Sequence, residues 1–180
     1  MKLLPCSIPG MFIIENKTFK DARGSLSEVY QDTLVYDALN FKNVLELEVE
    51  SSKGVLRGLH YQLGSSSQAK IIRVVRGSIL DVAVDIRRSS NTFGEYCSTT
   101  LDSERKNQLY IPRGFAHGYY TLENNTKLIY KLDNLYNPAA SYGIAYDDQS
   151  IGIDWRLGRK PILSSQDASL PKLLEAELFE

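Results

Sequence analysis

The sequence predicts an all-β fold, either a sandwich or a barrel. Short strand patterns recur at roughly even intervals, glycines stand at the corners between them, and helical patterns are few. The chain has 180 residues, of which 43% are hydrophobic, so it is long enough and apolar enough to bury one core. Since no internal repeat, low-complexity tract or linker interrupts it, we expect residues 1–180 to form a single domain.

The first quarter of the chain predicts strands on both sides of a turn at Arg23-Gly24, preceded by an apolar run from Met11 to Ile14. Residues 32–42 follow as a short helical candidate that Asp32 can cap. Residues 43–50 then alternate cleanly, with Leu and Val on one face and Glu on the other. That alternation indicates a half-buried strand.

The middle of the chain contains most of the remaining strand patterns. We predict strands over residues 68–76, 79–87, 95–101, 107–112, 119–122 and 126–132. The last two are expected to form a hairpin around Glu123-Asn124-Asn125. Residues 133–160 are rich in turns, and apolar residues between Leu170 and Phe179 recur at helical spacing, so residues 170–180 are predicted to be a C-terminal helix or tail.

Composition excludes several classes of function. The net charge is −1 and no basic patch stands out, which argues against nucleic-acid binding. No run of about 18 apolar residues exists to span a membrane. Pro5 and Pro9 break the apolar N-terminus, so no signal peptide is expected and the cytoplasm is the expected location. Cys6 and Cys97 are too few and too far apart in sequence for a disulfide framework or a zinc site.

Two segments carry the residues with the most chemical potential. The stretch Gly54–Gln62 sets Arg57 and His60 three positions apart, beside glycines that allow backbone and ligand to approach closely. The second of only two histidines, His117, lies in another segment with glycine and arginine. Such groups suit a small bound anion, although either histidine alone would more often be structural. From the residues alone, Lys70 is interpreted as a charged residue at the edge of a sheet and not as a catalytic ammonium.

Several motifs in order resemble one family, the dTDP-4-dehydrorhamnose 3,5-epimerases, from about residue 8 to about residue 174. The segments that carry the resemblance are Gly54–Gln62, Lys70–Gly77, Asp81–Ser90, Ile111–Gly118, Tyr130-Lys131 and Gly152–Trp155. The resemblance implies a cupin, or jelly-roll, barrel with short peripheral helices. It also implies a homodimer whose N-terminal strands reach across to the partner, and no metal or organic cofactor.

The function implied by the resemblance is epimerisation of a nucleotide-diphosphate 4-keto-6-deoxy sugar, for deoxysugar supply to a surface polysaccharide. By correspondence with the family's motifs, the proton-abstracting base is His60, its carboxylate partner Asp167, the opposing acid Tyr130 and the enolate-stabilising cation Lys70. The same correspondence assigns substrate and phosphate contacts to Arg23, Glu28, Arg57 and His117, and stacking on the nucleotide base to Tyr136.

Some positions depart from the family pattern. Leu45 and Leu47 stand where the family usually has Gln and Asn, Ser141-Tyr142 where it has Glu-Arg, and Gln166 where it has Lys. Because the proton-transfer residues are intact, these departures imply that recognition has changed while the chemistry is kept. The alternatives are a CDP- or GDP-linked sugar, a sugar lacking one hydroxyl, inversion of a single centre at C3 or C5, or neutral drift.

Three rival functions remain open from the sequence. A metal-dependent cupin dioxygenase needs two His, a carboxylate and usually a third His, and this chain has two histidines in all. A non-catalytic sugar-binding cupin would not need His60, Lys70 and Tyr130 together. A 3,4-ketoisomerase of the same superfamily would move the carbonyl rather than invert a centre.

Overall fold

Antiparallel β-strands make up most of the regular structure. The computed structural model describes the backbone of residues 1–180 and the side chains of all of them except Leu34 and Tyr36. The strands are β1 (Lys2–Pro5), β2 (Phe12–Glu15), β3 (Lys17–Asp21), β4 (Gly24–Glu28), β5 (Leu45–Ser51), β6 (Leu56–Gln62), β7 (Lys70–Arg76), β8 (Ser78–Asp85), β9 (Tyr96–Asp102), β10 (Gln108–Ile111), β11 (Phe115–Thr121), β12 (Thr126–Leu132) and β13 (Ser141–Gly143). These bounds agree with most of the strands predicted from alternation.

The strands are arranged in two larger sheets and one hairpin. The six-stranded sheet has the order β1-β2-β10-β7-β12-β5, and the five-stranded sheet has the order β13-β6-β11-β8-β9. Strands β3 and β4 pair only with each other, around the predicted turn at Arg23-Gly24. The architecture confirms the predicted β-sandwich or barrel.

The predicted hairpin between β11 and β12 is wrong. Strand β11 pairs with β6 and β8, whereas β12 pairs with β5 and β7, so the connection at Glu123–Asn125 crosses from one sheet to the other. Two alternating strands joined by turn residues have the same sequence pattern whether the chain folds back within a sheet or crosses between sheets. The local sequence therefore could not distinguish the two connections.

Strand β7 is apolar on both faces because both faces are covered. Ile72 and Val74 point into the space between the sheets, where they join the central core. Ile71 points outward and packs beneath helix α1 (Asp32–Leu39) with residues such as Phe41. Helix α1 lies within the predicted segment 32–42, and no helix in the described part of the chain is long and apolar enough to cross a bilayer.

The C-terminal segment covers the outer face of the five-stranded sheet. Leu80, Val82 and Val84 of β8 point outward and pack against Trp155 and Leu173. Residues 170–180 were predicted to be a C-terminal helix or tail, and the structure shows no α-helix there. The segment contains a single 3-10 turn at Leu173–Glu175 and is otherwise irregular. Leu170 is extended because it precedes Pro171, which disfavours the helical conformation. The apolar residues are spaced to anchor this strap on the sheet.

The alternation predicted for β5 is confirmed. Its glutamates point outward and pair with lysines of β12, with Lys127 Nζ 3.2 Å from both Glu48 and Glu50. Exposed pairs of this kind add less than about 1 kcal/mol each. The opposite face of β5 consequently turns Leu47 and Val49 toward the space between the sheets, at the edge of a cavity.

Candidate active site

A cavity of about 410 Å³ opens between the two sheets. One wall comes from β6, β11 and the turn at Asp167, and the other from β5, β7 and β12. Its lining residues are Leu47, Val49, Arg57, His60, Tyr61, Gln62, Gln68, Lys70, His117, Tyr130, Leu132, Tyr136, Ser141, Ser164, Gln166 and Asp167. Seven of the nine predicted site residues are therefore brought together: His60, Tyr130, Lys70, Asp167, Arg57, His117 and Tyr136.

An irregularity in β6 lets Arg57 and His60 face the same cavity, although residues three apart on a regular strand point to opposite faces. The pairing of β6 with β11 shifts register at this point. Gly58 lies here with φ +119°, and a Cβ at this position would stand 2.6 Å from Cα of Gly118. Only glycine accommodates both the conformation and the close approach. The glycine at position 58 therefore allows Arg57 and His60 to face the same cavity.

His60 forms a close pair with Asp167 at the cavity wall. Nε2 of His60 lies 2.7 Å from Oδ1 of Asp167, at an angle too oblique for a regular hydrogen bond. The imidazole side chain is 38% exposed and the carboxylate 5%. The accessible imidazole is thus backed by a buried carboxylate, which is the arrangement expected of a general base.

Asp167 is held in place by its own turn. The Ser164 hydroxyl donates to Oδ2 of Asp167 at 2.7 Å, and the Asp167 amide donates back to that hydroxyl at 3.0 Å. Burial acts to raise the pKa of Asp167, but the contacts with His60 and Ser164 outweigh it and hold the pKa below its ordinary value. The carboxylate therefore stays ionised at neutral pH.

Lys70 points inward rather than outward. Its ammonium donates to the backbone oxygen of His60 at 3.3 Å, and the side chain is buried. The interpretation of Lys70 as an edge charge is wrong, because β7 lies inside its sheet between β10 and β12. Burial lowers the pKa of Lys70 to about 8, with Asp81 acting in the opposite direction. At pH 7 the cavity consequently contains a mostly charged ammonium with little water around it.

Tyr130 enters the cavity from the facing sheet. Its ring makes an edge-to-face contact with the ring of His117, with the centroids 5.7 Å apart. Burial raises the pKa of Tyr130 well above its ordinary value, and the neighbouring Tyr119 and Asp81 act in the same direction. The phenol is therefore protonated throughout the neutral range and has a proton to donate.

The second histidine pairs with a carboxylate that sequence reasoning missed. Nε2 of His117 lies 2.8 Å from Oδ1 of Asp81, and the two side chains are 3% and 0% exposed. Burial lowers the pKa of His117, although Asp81 opposes the shift. The available signal was the alternation of β8, which sets Asp81 on the inward face between Ile79 and Ala83.

Two predicted contacts lie outside this cavity. Arg23 and Glu28 are on the exposed β3–β4 hairpin, where Arg23 pairs with Asp21 at 2.6 Å. Sequence reasoning missed two further residues that line the cavity, Gln62 and Gln68. Gln62 Nε2 donates to the backbone oxygen of Ser66 at 2.6 Å, and Gln68 Nε2 donates at 2.9 Å to the backbone oxygen of Asn134, in the loop after β12.

The positions that depart from the resembled family lie at or next to the cavity. Leu47, Ser141 and Gln166 line it, whereas Leu45 and Tyr142 do not. Leu45 stands two positions before Leu47 on β5, and Tyr142 follows Ser141 on β13. Among the residues whose side chains are described, no group of three or more His, Cys, Asp or Glu is positioned to hold a metal ion. The variation thus concentrates where a substrate would be recognised.

Comparison with known proteins identifies close relatives. A family model described as dTDP-4-dehydrorhamnose 3,5-epimerase matches residues 5–175. The chain is 41% identical over 182 residues to the dTDP-4-dehydrorhamnose 3,5-epimerase of Salmonella typhimurium, covering 100% of both chains.

Solved structures give the same result. A dTDP-6-deoxy-D-glucose-3,5-epimerase from Legionella pneumophila, in complex with dTDP-4-keto-L-rhamnose, superposes with a TM-score of 0.93 at 39% identity, covering 97% of this chain and 93% of that one. A 3'-monoepimerase from Streptomyces bikiniensis, in complex with dTDP-quinovose, superposes with a TM-score of 0.89 at 31% identity, covering 94% and 87%. The relatives therefore include enzymes that act on dTDP-linked deoxysugars.

Proposed function

Because the chain belongs to the dTDP-4-dehydrorhamnose 3,5-epimerase family, we propose that it inverts C3 and C5 of dTDP-4-dehydro-6-deoxy-D-glucose in deoxysugar biosynthesis. The enzyme is a carbohydrate epimerase, an isomerase. The observation that carries the mechanism is that His60 and Tyr130 line one cavity from facing sheets.

The first step is removal of a proton next to the ketone. The C4 carbonyl acidifies the hydrogens on C3 and C5, and neutral His60 accepts one of them. Asp167 at Nε2 favours the tautomer that leaves the lone pair on Nδ1, and it stabilises the imidazolium that forms. The electron pair of the broken C–H bond moves onto the C4 oxygen, giving an enolate.

The enolate is stabilised by the ammonium of Lys70, which is fixed in the buried part of the cavity. Tyr130 then donates its phenolic proton to the opposite face of the same carbon, which inverts the centre and leaves a tyrosinate. Before the second centre reacts, His60 releases its proton to solvent and Tyr130 regains one. The partial exposure of His60 supports this exchange.

Binding of the nucleotide is assigned to the outer part of the cavity. Arg57 is exposed there and suits the diphosphate, His117 contacts the sugar from the buried side, and Tyr136 at the rim stacks on the base. Arg23 and Glu28 act in the cavity of a second subunit of a homodimer. The exposed apolar side chains Phe19 and Leu26 on the same hairpin support burial against a partner.

The test is incubation in deuterated water with dTDP-, CDP- and GDP-linked 4-keto-6-deoxy sugars, followed by NMR. We expect deuterium at both C3 and C5 and the doubly inverted product with the dTDP sugar. Deuterium and inversion at one carbon would make the enzyme a single-centre epimerase. Preferential turnover of the CDP or GDP sugar would mean that the substrate carries that nucleotide and not dTDP. No exchange with any of the three sugars would refute the proposal.

A further inference from the structure

Two hydroxyl groups lie behind the cavity wall, next to the side chain of Arg57. Tyr119 of β11 reaches across from the five-stranded sheet to Ser51 of β5 in the six-stranded sheet, and the two hydroxyl oxygens are 3.1 Å apart. Nε of Arg57 donates to Oγ of Ser51 at 3.4 Å, and Arg57 is the register partner of Tyr119 on the adjacent strand β6. The three side chains therefore form one hydrogen-bonded group that joins the two sheets.

The members of this group differ in their exposure to solvent. Ser51 and Tyr119 are buried and do not line the cavity, whereas Arg57 is exposed and lines it. Burial raises the pKa of Tyr119, and its contacts with Ser51 and Arg57 act in the opposite direction without cancelling the rise. Tyr119 is therefore neutral at pH 7, and the groups that hold the guanidinium from behind are uncharged hydroxyls.

Arg57 is anchored in a different way from Arg87, which follows β8. Arg87 donates through Nε and Nη2 to the carboxylate of Asp85, at 2.8 and 2.6 Å, so its charge is balanced within the protein. Arg57 instead donates to a hydroxyl, and among the residues whose side chains are described no carboxylate forms an ion pair with it. A guanidinium held by neutral groups keeps its charge for an anionic ligand.

In the substrate of the proposed function, the anionic group is the diphosphate. A long, flexible side chain loses conformational freedom when it binds a ligand, and a guanidinium that is already held at Nε loses less. Building on the proposed function, we propose that Ser51 and Tyr119 are positioning residues that hold the guanidinium of Arg57 ready to bind the diphosphate of the nucleotide sugar. Both hydroxyls act through Arg57, and neither touches the substrate.

The same group also lies near the proposed acid. Burial is the main cause of the raised pKa of Tyr130, and of its neighbours Tyr119 raises that pKa further while Arg57 lowers it. A role of the two hydroxyls in proton donation would change kcat, whereas a role in positioning Arg57 changes affinity. The experiment consequently measures both quantities.

The binding of dTDP is measured by calorimetry for the unmodified enzyme, Tyr119→Phe, Ser51→Ala and Arg57→Ala, together with kcat and KM for the 4-keto substrate. Tyr119→Phe should weaken dTDP binding about threefold and Ser51→Ala about tenfold, since the first removes a hydrogen bond between neutral groups and the second also removes one from a charged group. KM should rise in proportion while kcat stays within about twofold, because the lost contact serves binding alone.

A double variant distinguishes positioning from a general structural effect. Arg57→Ala removes the guanidinium, so adding Tyr119→Phe to it should cause no further loss of dTDP affinity. The matched control is Tyr120→Phe, which removes the same hydroxyl from the next residue of β11, whose ring is buried on the outer face of the sheet. This control should bind dTDP as the unmodified enzyme does. Ser51→Ala, alone and combined with Arg57→Ala, tests the same contact if Tyr119→Phe does not fold.

Unchanged dTDP affinity in both Tyr119→Phe and Ser51→Ala, or an equal loss with and without Arg57, would overturn the proposal. A fall in kcat with unchanged affinity would also overturn it. If the unmodified enzyme binds dTDP and epimerises the 4-keto sugar in those cases, the proposed function stands and only the positioning role fails. Absence of both dTDP binding and turnover in the unmodified enzyme would refute the proposed function itself.

Discussion

Two His–Asp pairs, whose histidines lie on neighbouring strands of the same sheet, differ in what surrounds them. His60–Asp167 and His117–Asp81 have nearly equal separations, 2.7 and 2.8 Å, and the two histidines are register partners on β6 and β11. Yet the His60 side chain is 38% exposed, whereas that of His117 is 3% exposed. A close carboxylate therefore does not by itself make a histidine a catalytic base, because a base must also reach the substrate and exchange its proton with solvent.

The origin of each carboxylate explains the difference. Asp81 belongs to β8 and is sealed inside the sheet, so its pair with His117 is part of the core. Asp167 comes from the 3-10 turn Asp167–Ser169, just before the C-terminal strap, and it leaves the other edge of His60 open to the cavity. We assign proton abstraction to the open pair, and orientation of the sugar to the buried one.

Replacing the two histidines should change different kinetic constants, and the loss of kcat in the His60 variant should be the greatest of all. His60→Ala should lower kcat by about 10³-fold or more, since general base catalysis contributes about 10²–10⁴. His117→Ala should mainly raise KM, because it removes a binding contact. Steady-state kinetics with the dTDP-linked 4-keto sugar makes the comparison, and equal losses of kcat in the two variants would remove the distinction between the pairs.

A second prediction concerns Lys70, whose side chain lines the same cavity as His60 and His117. Lys70→Met should lower kcat by about 10²–10³-fold, the usual effect of removing one oxyanion-stabilising group. The control is Lys127→Met, which removes an outward-facing lysine whose partners are Glu48 and Glu50. That variant should keep nearly full activity, and a comparable loss there would indicate a general charge effect instead.

We expect Asp81 to contribute more than Asp167 to the free energy of unfolding, although Asp167 belongs to the pair assigned to proton abstraction. Asp81→Asn leaves the fully buried His117 with a poorer partner and should reduce the free energy of unfolding by about 2–3 kcal/mol. Asp167→Asn should cost about 1 kcal/mol, because its partner His60 is partly solvated. Urea unfolding measures both values. A larger loss for Asp167→Asn would mean that the turn at Asp167 contributes more to the stability of this end of the barrel than Asp81 of β8 does.

The smallest expected effect is a pH dependence. Since burial lowers the pKa of Lys70 to about 8, its ammonium loses its proton as the pH rises through that value. We therefore expect kcat/KM to fall above about pH 8, approaching tenfold per pH unit. Tyr130 cannot cause this decline, because its pKa is raised well above its ordinary value. Lys70→Arg should abolish the decline, and its persistence would assign it to another group.

Much of the fold could be predicted from alternation. The alternation over residues 43–50 predicted β5 to within two residues at each end, and it predicted the two faces, because one face meets solvent and the other the cavity. The connection from β11 to β12 and the C-terminal strap could not be predicted in this way. Turn residues do not encode which sheet receives the next strand, and apolar spacing near Pro171 fits a strap on a sheet as well as a helix.

The site was predicted unevenly for similar reasons. The motif around His60 indicated the right segment, but its common orientation with Arg57 depends on the register shift at Gly58, which only the paired strand defines. The inward direction of Lys70 depends on β7 being an inner strand. Asp81 was overlooked because its partner is distant in sequence.

Solvent exchange in deuterated water, measured for Tyr130→Phe and His60→Ala, separates the roles of the two residues in proton transfer. If His60 removes the proton and Tyr130 returns one to the opposite face, Tyr130→Phe should let deuterium enter the recovered substrate at the carbons beside the ketone, with no inverted product. His60→Ala should show neither deuterium nor product. Inverted product formed at a normal rate by either variant would show that the substituted residue is not the base or the acid of the reaction.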